Sequence, residues 1–270
     1  MSGTVSALSM VFMGISALVC FSIPVVLFIF FKKKGADILP FFIGCGVFFV
    51  FALVLESLMH QLVLLVLPIG KTIQNNIWLY ALYGGLAAGV FEEVGRLVAF
   101  KTVLKSKLGK NVNALMYGAG HGGFEAAFVV GVTMITNIVL SVIINVGGAE
   151  ALISTAPAES VSQMEVMLSK LTDTPAVDYL LGIAERFLAV AMHISLSALL
   201  WLWVKNKKSF MVIAVVAIHA LADGVLVICA SFLPILATEA ILAAITAAIV
   251  AFAVFTWKRY AKAEAAEQSE

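Results

Sequence analysis

The chain has 270 residues, 62% of them hydrophobic and 12% charged, with a mean hydropathy of +1.08. Soluble domains hold about 45–50% apolar residues, so this composition excludes one and implies an all-α, polytopic membrane protein in contact with lipid along most of its length. A net charge of +1 and the lack of any basic, aromatic-interleaved surface exclude nucleic acid as a partner.

A span needs about 20 apolar residues, and the chain offers seven such runs, at about 7–31, 38–68, 77–104, 113–146, 177–204, 209–233 and 235–257. The first run has neither a basic leader nor a small-residue cleavage site and reads as a retained helix. The second and fourth exceed one straight crossing, which predicts tilt, a kink or an emergent end. Gly118, Gly120, Gly122 and Gly123 crowd the start of the fourth run; they weaken the helix and permit close approach of a neighbour. Cys20, Cys45 and Cys229 stand singly in apolar runs, as buried thiols do. The loop 147–176 carries Glu150, Glu159, Glu165 and Asp173 and has room for a short amphipathic helix, and the tail after Trp257 reads as a polar, fraying helix end. The expected organisation is a single membrane domain over 1–270, with a motif-bearing core at 77–233.

Basic residues set the orientation. Lys32 to Lys34, Lys101 to Lys110, Lys205 to Lys208, and Lys258, Arg259 and Lys262 fall on one side of a seven-span chain, against Lys71 and Lys170 on the other. The positive-inside rule then places the N-terminus outside, the C-terminus in the cytoplasm and the loop 147–176 outside.

Several ionisable residues interrupt these runs. Each costs roughly 2.5–3.5 kcal/mol near a bilayer centre, so such residues face the protein interior and mark sites. They are Glu92, Glu93 and Arg96 in the third run, His121 and Glu125 in the fourth, Glu185, Arg186 and His193 in the fifth, and His219 and Asp223 in the sixth. Counted from the lysine-rich ends, Glu93 lies 11 residues deep, His121 eight, His193 11 and His219 ten. At 1.5 Å per residue all four sit about 12–17 Å in, a shared level that unrelated residues have no reason to adopt.

Within the helices, Glu92 and Glu93 are both in reach of Arg96, at i,i+4 and i,i+3. Glu92 is the expected ion-pair partner, which leaves Glu93 as the freer base. His121 with Glu125, and His219 with Asp223, are i,i+4 pairs in which a carboxylate can fix an imidazole tautomer. His193 has Ser197 one turn on and Arg186 two turns away, and reads equally well as a core histidine. Glu56 and His60 in the second run, with Glu185 and Arg186, form a further polar set expected to be structural.

No His-Glu-x-x-His, Gly-x-Ser-x-Gly or paired Asp motif occurs in a span, which leaves carboxylate and histidine chemistry. A glutamate can act as general base on water with histidines as acid or oxyanion stabilisers. Alternatively, His121, His193 and His219 with a carboxylate can hold zinc with a position open for that water.

Glu92-Glu93-x-x-Arg96, Tyr117-x-x-x-His121 and His219-x-x-x-Asp223 resemble the three motifs of the CAAX protease and bacteriocin-processing superfamily of intramembrane proteases. The run from His121 to Glu125, and Glu185-Arg186 followed by His193 and Ser197, resemble more specifically the YhfC-type branch. That branch is related to the PrsW-type proteases and, more distantly, to the multi-pass scaffold subunit of γ-secretase. Two residues separate Glu93 from Arg96 where type II CAAX enzymes usually have three, Tyr117 replaces Phe, and Asp223 stands where many members have Asn. The resemblance implies Glu92 or Glu93 as water-activating base, His121, His219 and Asp223 completing the site, and Arg96, Glu125, Glu185, Arg186 and His193 in support. It further implies a membrane-protein or peptide substrate and a bacterial plasma-membrane location. A silent scaffold subunit and a proton-coupled transporter are the alternatives from other classes.

Overall fold

A computed structural model of the protein describes residues 4–154, 156, 157 and 160–267. Glu159 lies outside these. Among the described residues the chain is helical, without strands. In order come α1 (Ala7–Lys33), α2 (Leu39–Val66), α3 (Ile69–Gln74), α4 (Ile77–Lys101) and α5 (Val112–Gly147). They are followed by α6 (Ala149–Ile153), α7 (Val161–Asp173), α8 (Asp178–Lys205), α9 (Ser209–Phe232) and α10 (Ile235–Glu267).

Of these, α1, α2, α5, α8, α9 and α10 are long and apolar enough to cross a membrane, which makes six among the described residues. The remaining expected span, α4, forms a 25-residue helix, about 37 Å long at the standard rise, but carries Glu92, Glu93 and Arg96. Local chemistry explains the boundaries. The Asn76 side chain caps α4 by accepting from the Trp78 and Leu79 amides at 3.0 and 3.2 Å. Gly35 and Gly148, both at positive φ, close α1 and α5. Pro40 stands in the first turn of α2, where its missing N–H costs nothing. The two runs longer than a straight crossing contain π-helical turns, at Phe48–Glu56 and Gln61–Val66 in α2 and Ala126–Val132 in α5.

Contacts divide the chain into two compact units, Met1–Val25 with Glu125–Phe187, and Val26–Phe124 with Leu188–Glu270. The first is built around Met13, Ile144, Leu168, Leu171 and Tyr179. Its loop segment contains the short helix expected there, since α7 buries Leu168 and Leu171 and exposes Val166 and Met167. The second has a core of Phe100, Tyr117, Leu196, Leu199 and Trp201. In it the Asn113 side chain accepts from the Asp37 amide at 2.8 Å and donates to the Asp37 carboxylate at 3.1 Å, tying the α1–α2 turn to the start of α5. The polar tail after Trp257 continues α10 to Glu267, and Glu264 accepts from Lys205 Nζ at 2.7 Å, which gives these turns a partner on α8.

Candidate functional site

The site is built in the second unit, and small residues set its geometry. Ala81, Gly85 and Gly89 recur every four residues along one face of α4 and lie on α9. A Cβ at Gly85 would collide with the Ala220 carbonyl, and one at Gly89 would come within 2.8 Å of the Val216 carbonyl. On the facing helix, a Cβ at Gly224 would stand 3.2 Å from the Ala81 carbonyl. Two helices without side chains at their crossing can bring their backbones together. Glu93 is the next residue of the same series, so the glycine ridge aims it at α9, where its Oε1 lies 2.8 Å from His219 Nδ1.

Arg96 donates from Nη1 to both oxygens of Glu93, and both side chains are wholly buried. This corrects the pairing expected from i,i+4 spacing. Glu92 is not the partner of Arg96, because the ridge that turns Glu93 toward α9 places the guanidinium beneath Glu93. Glu92 is turned instead toward α5, where its Oε2 stands 2.8 Å from His121 Nε2.

The glycines of α5 do a similar job. A Cβ at Gly118 would fall 2.5 Å from Ile194 Cα, and one at Gly122 would fall 3.0 Å from His193 Cβ, so α5 lies directly on α8. On another face, Gly120 meets the Phe41 backbone of α2. The result is a row of imidazoles, with ring centroids 4.9 Å apart for His121 and His193 and 5.3 Å for His193 and His219. The four segments expected at one depth do meet. His193, whose sequence context was ambiguous, is at the centre: its Nδ1 is 3.7 Å from Glu92 Oε2 and 3.3 Å from Arg96 Nη2. Tyr117 of the aromatic motif stacks on His121 at 6.0 Å and meets the Phe100 edge at 4.8 Å.

His219 is held from both ends. Asp223 Oδ2 is 3.4 Å from its Nε2, beyond the usual N–H···O range, whereas Glu93 takes Nδ1–H at 2.8 Å. This tautomer leaves the Nε2 lone pair available, and Arg96, Glu93 and His219 form a series of the kind that orients a metal-binding histidine.

The remaining polar residues have partners of their own. In the first unit, Arg186 donates to Glu125 Oε1 at 2.6 Å and to Glu185. In the second, Glu56 Oε1 is 3.2 Å from His60 Nε2, and His60 Nδ1 is 2.9 Å from the Tyr83 hydroxyl. Glu56 and Arg186, expected in one polar set, thus each have partners nearby in the chain fold. Tyr83 gave no signal in the sequence, being one of two tyrosines in an apolar run.

Glu92, His193 and His219 each present a ligand atom within 4.8 Å of the other two, and all three are buried. Two imidazoles and one carboxylate make the donor set of catalytic zinc sites that keep one position for water. The residues present therefore fit a metal.

These features have relatives. Residues 19–255 match the family model described as YhfC intramembrane metalloprotease. The "Uncharacterized membrane protein YhfC" of Bacillus subtilis (strain 168) is 36% identical over 219 residues, covering 80% of this chain and 83% of the relative. No solved structure matches the chain. A match across most of the length, in a chain that gathers Glu92, Glu93, Arg96, His121, His193 and His219 in one buried cluster, leads to one conclusion: this integral membrane protein belongs to the YhfC intramembrane metalloprotease family.

Proposed function

We propose that the protein is an intramembrane endopeptidase that hydrolyses a peptide bond of a membrane-protein or peptide substrate. The observation that carries this reading is the convergence of Glu92, His193 and His219 from α4, α8 and α9 on one buried point. Structural ion pairs have no need of such a convergence.

In this reading Glu92, His193 and His219 would hold a divalent ion, for which zinc best suits the donor set. When bound, such an ion polarises the scissile carbonyl and makes water a stronger acid. The chain's own residues supply the rest. Glu93, clamped by Arg96, keeps the His219 ring in place. His121, 2.8 Å from Glu92, accepts the proton of the attacking water and returns it to the leaving amine. Asp223, with 31% of its side chain exposed, is the member of the set at the open end, where substrate enters. The lysine-rich ends of the spans face the cytoplasm of a bacterial plasma membrane, with the N-terminus outside.

A second reading rests on the same 2.8 Å contact: Glu92 and His121 alone activate the water, as in a glutamic-type hydrolase. Purified protein and a membrane-protein substrate decide between them. The metal reading expects about one divalent ion per chain, lost with activity on chelation and in His193→Ala and His219→Ala, but retained in an inactive His121→Ala. Full activity after chelation favours the metal-free pair. Glu92→Gln lowers hydrolysis at least ~100-fold under either reading; unchanged hydrolysis in that variant overturns both and leaves a scaffold.

A further inference from the structure

A feature remote from the Glu/His cluster has no part in hydrolysis. At the lysine-rich end of the second unit, a cavity of about 430 Å³ opens between α8, α9 and α10. Its walls are Trp203, Phe210, Phe252 and Phe255, and its rim carries Lys208 and Arg259. Three of the aromatic walls face outward, with Phe210 68% exposed, Phe255 64% and Phe252 44%. Lys208 is held at the rim, with Nζ 3.4 Å from the Tyr260 hydroxyl and 5.8 Å from the centre of that ring. Among the described residues no carboxylate lines the cavity. Glu264, the acidic residue one turn beyond Tyr260, is bonded to Lys205 at 2.7 Å and does not neutralise the rim.

Two uncompensated cations above an apolar, bilayer-facing slot complement one kind of molecule, with an anionic head and hydrocarbon tails. We propose that this cavity is a binding site for a single anionic phospholipid. Its phosphate lies between Lys208 and Arg259, and its acyl chains run over Phe210, Phe252 and Phe255. A free phosphate leaves the aromatic walls bare, and a zwitterionic lipid sets its own ammonium against the two cations. Basic pockets between spans at the lysine-rich face have the right charge and depth for such headgroups. The lipid would wedge α10 against the end of α8, the helix that carries His193.

The test uses the full chain in nanodiscs of mixed phosphatidylglycerol and phosphatidylcholine, released for native mass spectrometry. One phosphatidylglycerol is expected to stay bound. Each basic residue near the surface changes affinity about fivefold, so Lys208→Gln/Arg259→Gln lowers retention roughly thirtyfold. Lys258→Gln/Lys262→Gln removes the same charge from α10 but lines no part of this cavity, and is expected to retain the lipid. Equal loss in both double variants, equal retention of the two lipids, or displacement by millimolar inorganic phosphate each overturns the proposal. Near-UV circular dichroism shows that both variants are folded before retention is compared.

Discussion

The pair at the heart of the site permits a thermodynamic test of the geometry. Arg96 and Glu93 are both 0% exposed, and the guanidinium spans both carboxylate oxygens. In Arg96→Met the volume is nearly kept, but the Glu93 carboxylate retains only the His219 contact in a dry interior. In Glu93→Gln the guanidinium loses its counter-charge. Leaving one partner of a buried pair uncompensated costs about 3–5 kcal/mol. At roughly 2–4 °C per kcal/mol for a chain of this size, each single change lowers the thermal midpoint in detergent by roughly 6–20 °C. Arg96→Met/Glu93→Gln buries no unpaired charge, so it should recover ~2 kcal/mol or more of the summed cost, the coupling expected for residues in contact. The recovered protein should still be impaired about 10- to 100-fold in metal affinity or hydrolysis, because His219 has lost the carboxylate that orients it. Costs that add to within ~0.5 kcal/mol would show that the two residues are not coupled, and the Arg96–Glu93 assignment would fall.

Adjacent glycines give a sharper test of helix packing. Gly85→Ala drives a Cβ onto the Ala220 carbonyl and should sharply reduce folded protein, whereas Gly84→Ala meets nothing within 4 Å and should behave as wild type in size-exclusion yield. Topology follows from the basic residues: Lys207→Cys should be shielded from an impermeant thiol reagent in intact cells, and Ser162→Cys should react. Labelling in the reverse sense would invert the orientation. At the α1–α2 turn, hydrogen bonds from Lys110 and Asn113 hold the Asp37 carboxyl at about 2. Its folded value is below the unfolded one, so the stabilisation is complete above ~4 and disappears as pH falls toward 2. The Lys110 pair is largely solvated, which limits the effect to well under ~1 kcal/mol. Asp37→Asn should therefore lower the midpoint slightly at pH 7, with the gap closing at lower pH; a gap that widens on acidification contradicts the pairing.

How such a site survives in an apolar interior is answered by its pairing. Glu93 is matched by Arg96 and His219, Glu92 by His121, and Asp223 is partly solvated beside His219. Buried charge is costly unless it is paired and hydrogen-bonded. These contacts also fix each functional group from a second helix, so the same bonds serve stability and positioning.

The sequence by itself determined the helical class, most helix bounds to within a few residues, and several of the ionisable residues that cluster. Length and hydropathy limit what can cross a bilayer, and an ionisable residue inside a span must turn inward, which singled out Glu92, Glu93, Arg96, His121, His193 and His219. The constant rise of a helix put Glu93, His121, His193 and His219 at one expected level, and these residues meet. Only the tertiary structure decided which carboxylate serves which partner. Spacing along α4 allows Arg96 to reach either glutamate; the choice depends on how α4 is rotated against its neighbours, which no single helix can state. The rotation is set by the contact of Gly85 and Gly89 with α9, and with it Glu93 becomes the clamp on His219 while Glu92 turns to His121. A four-residue series from Ala81 through Gly85 and Gly89 to Glu93 stands in the sequence, yet its meaning requires knowing that α9 is the facing helix. The same holds for His193: the sequence left it between a core histidine and a zinc ligand, and packing brings Glu92 and His219 to its ring.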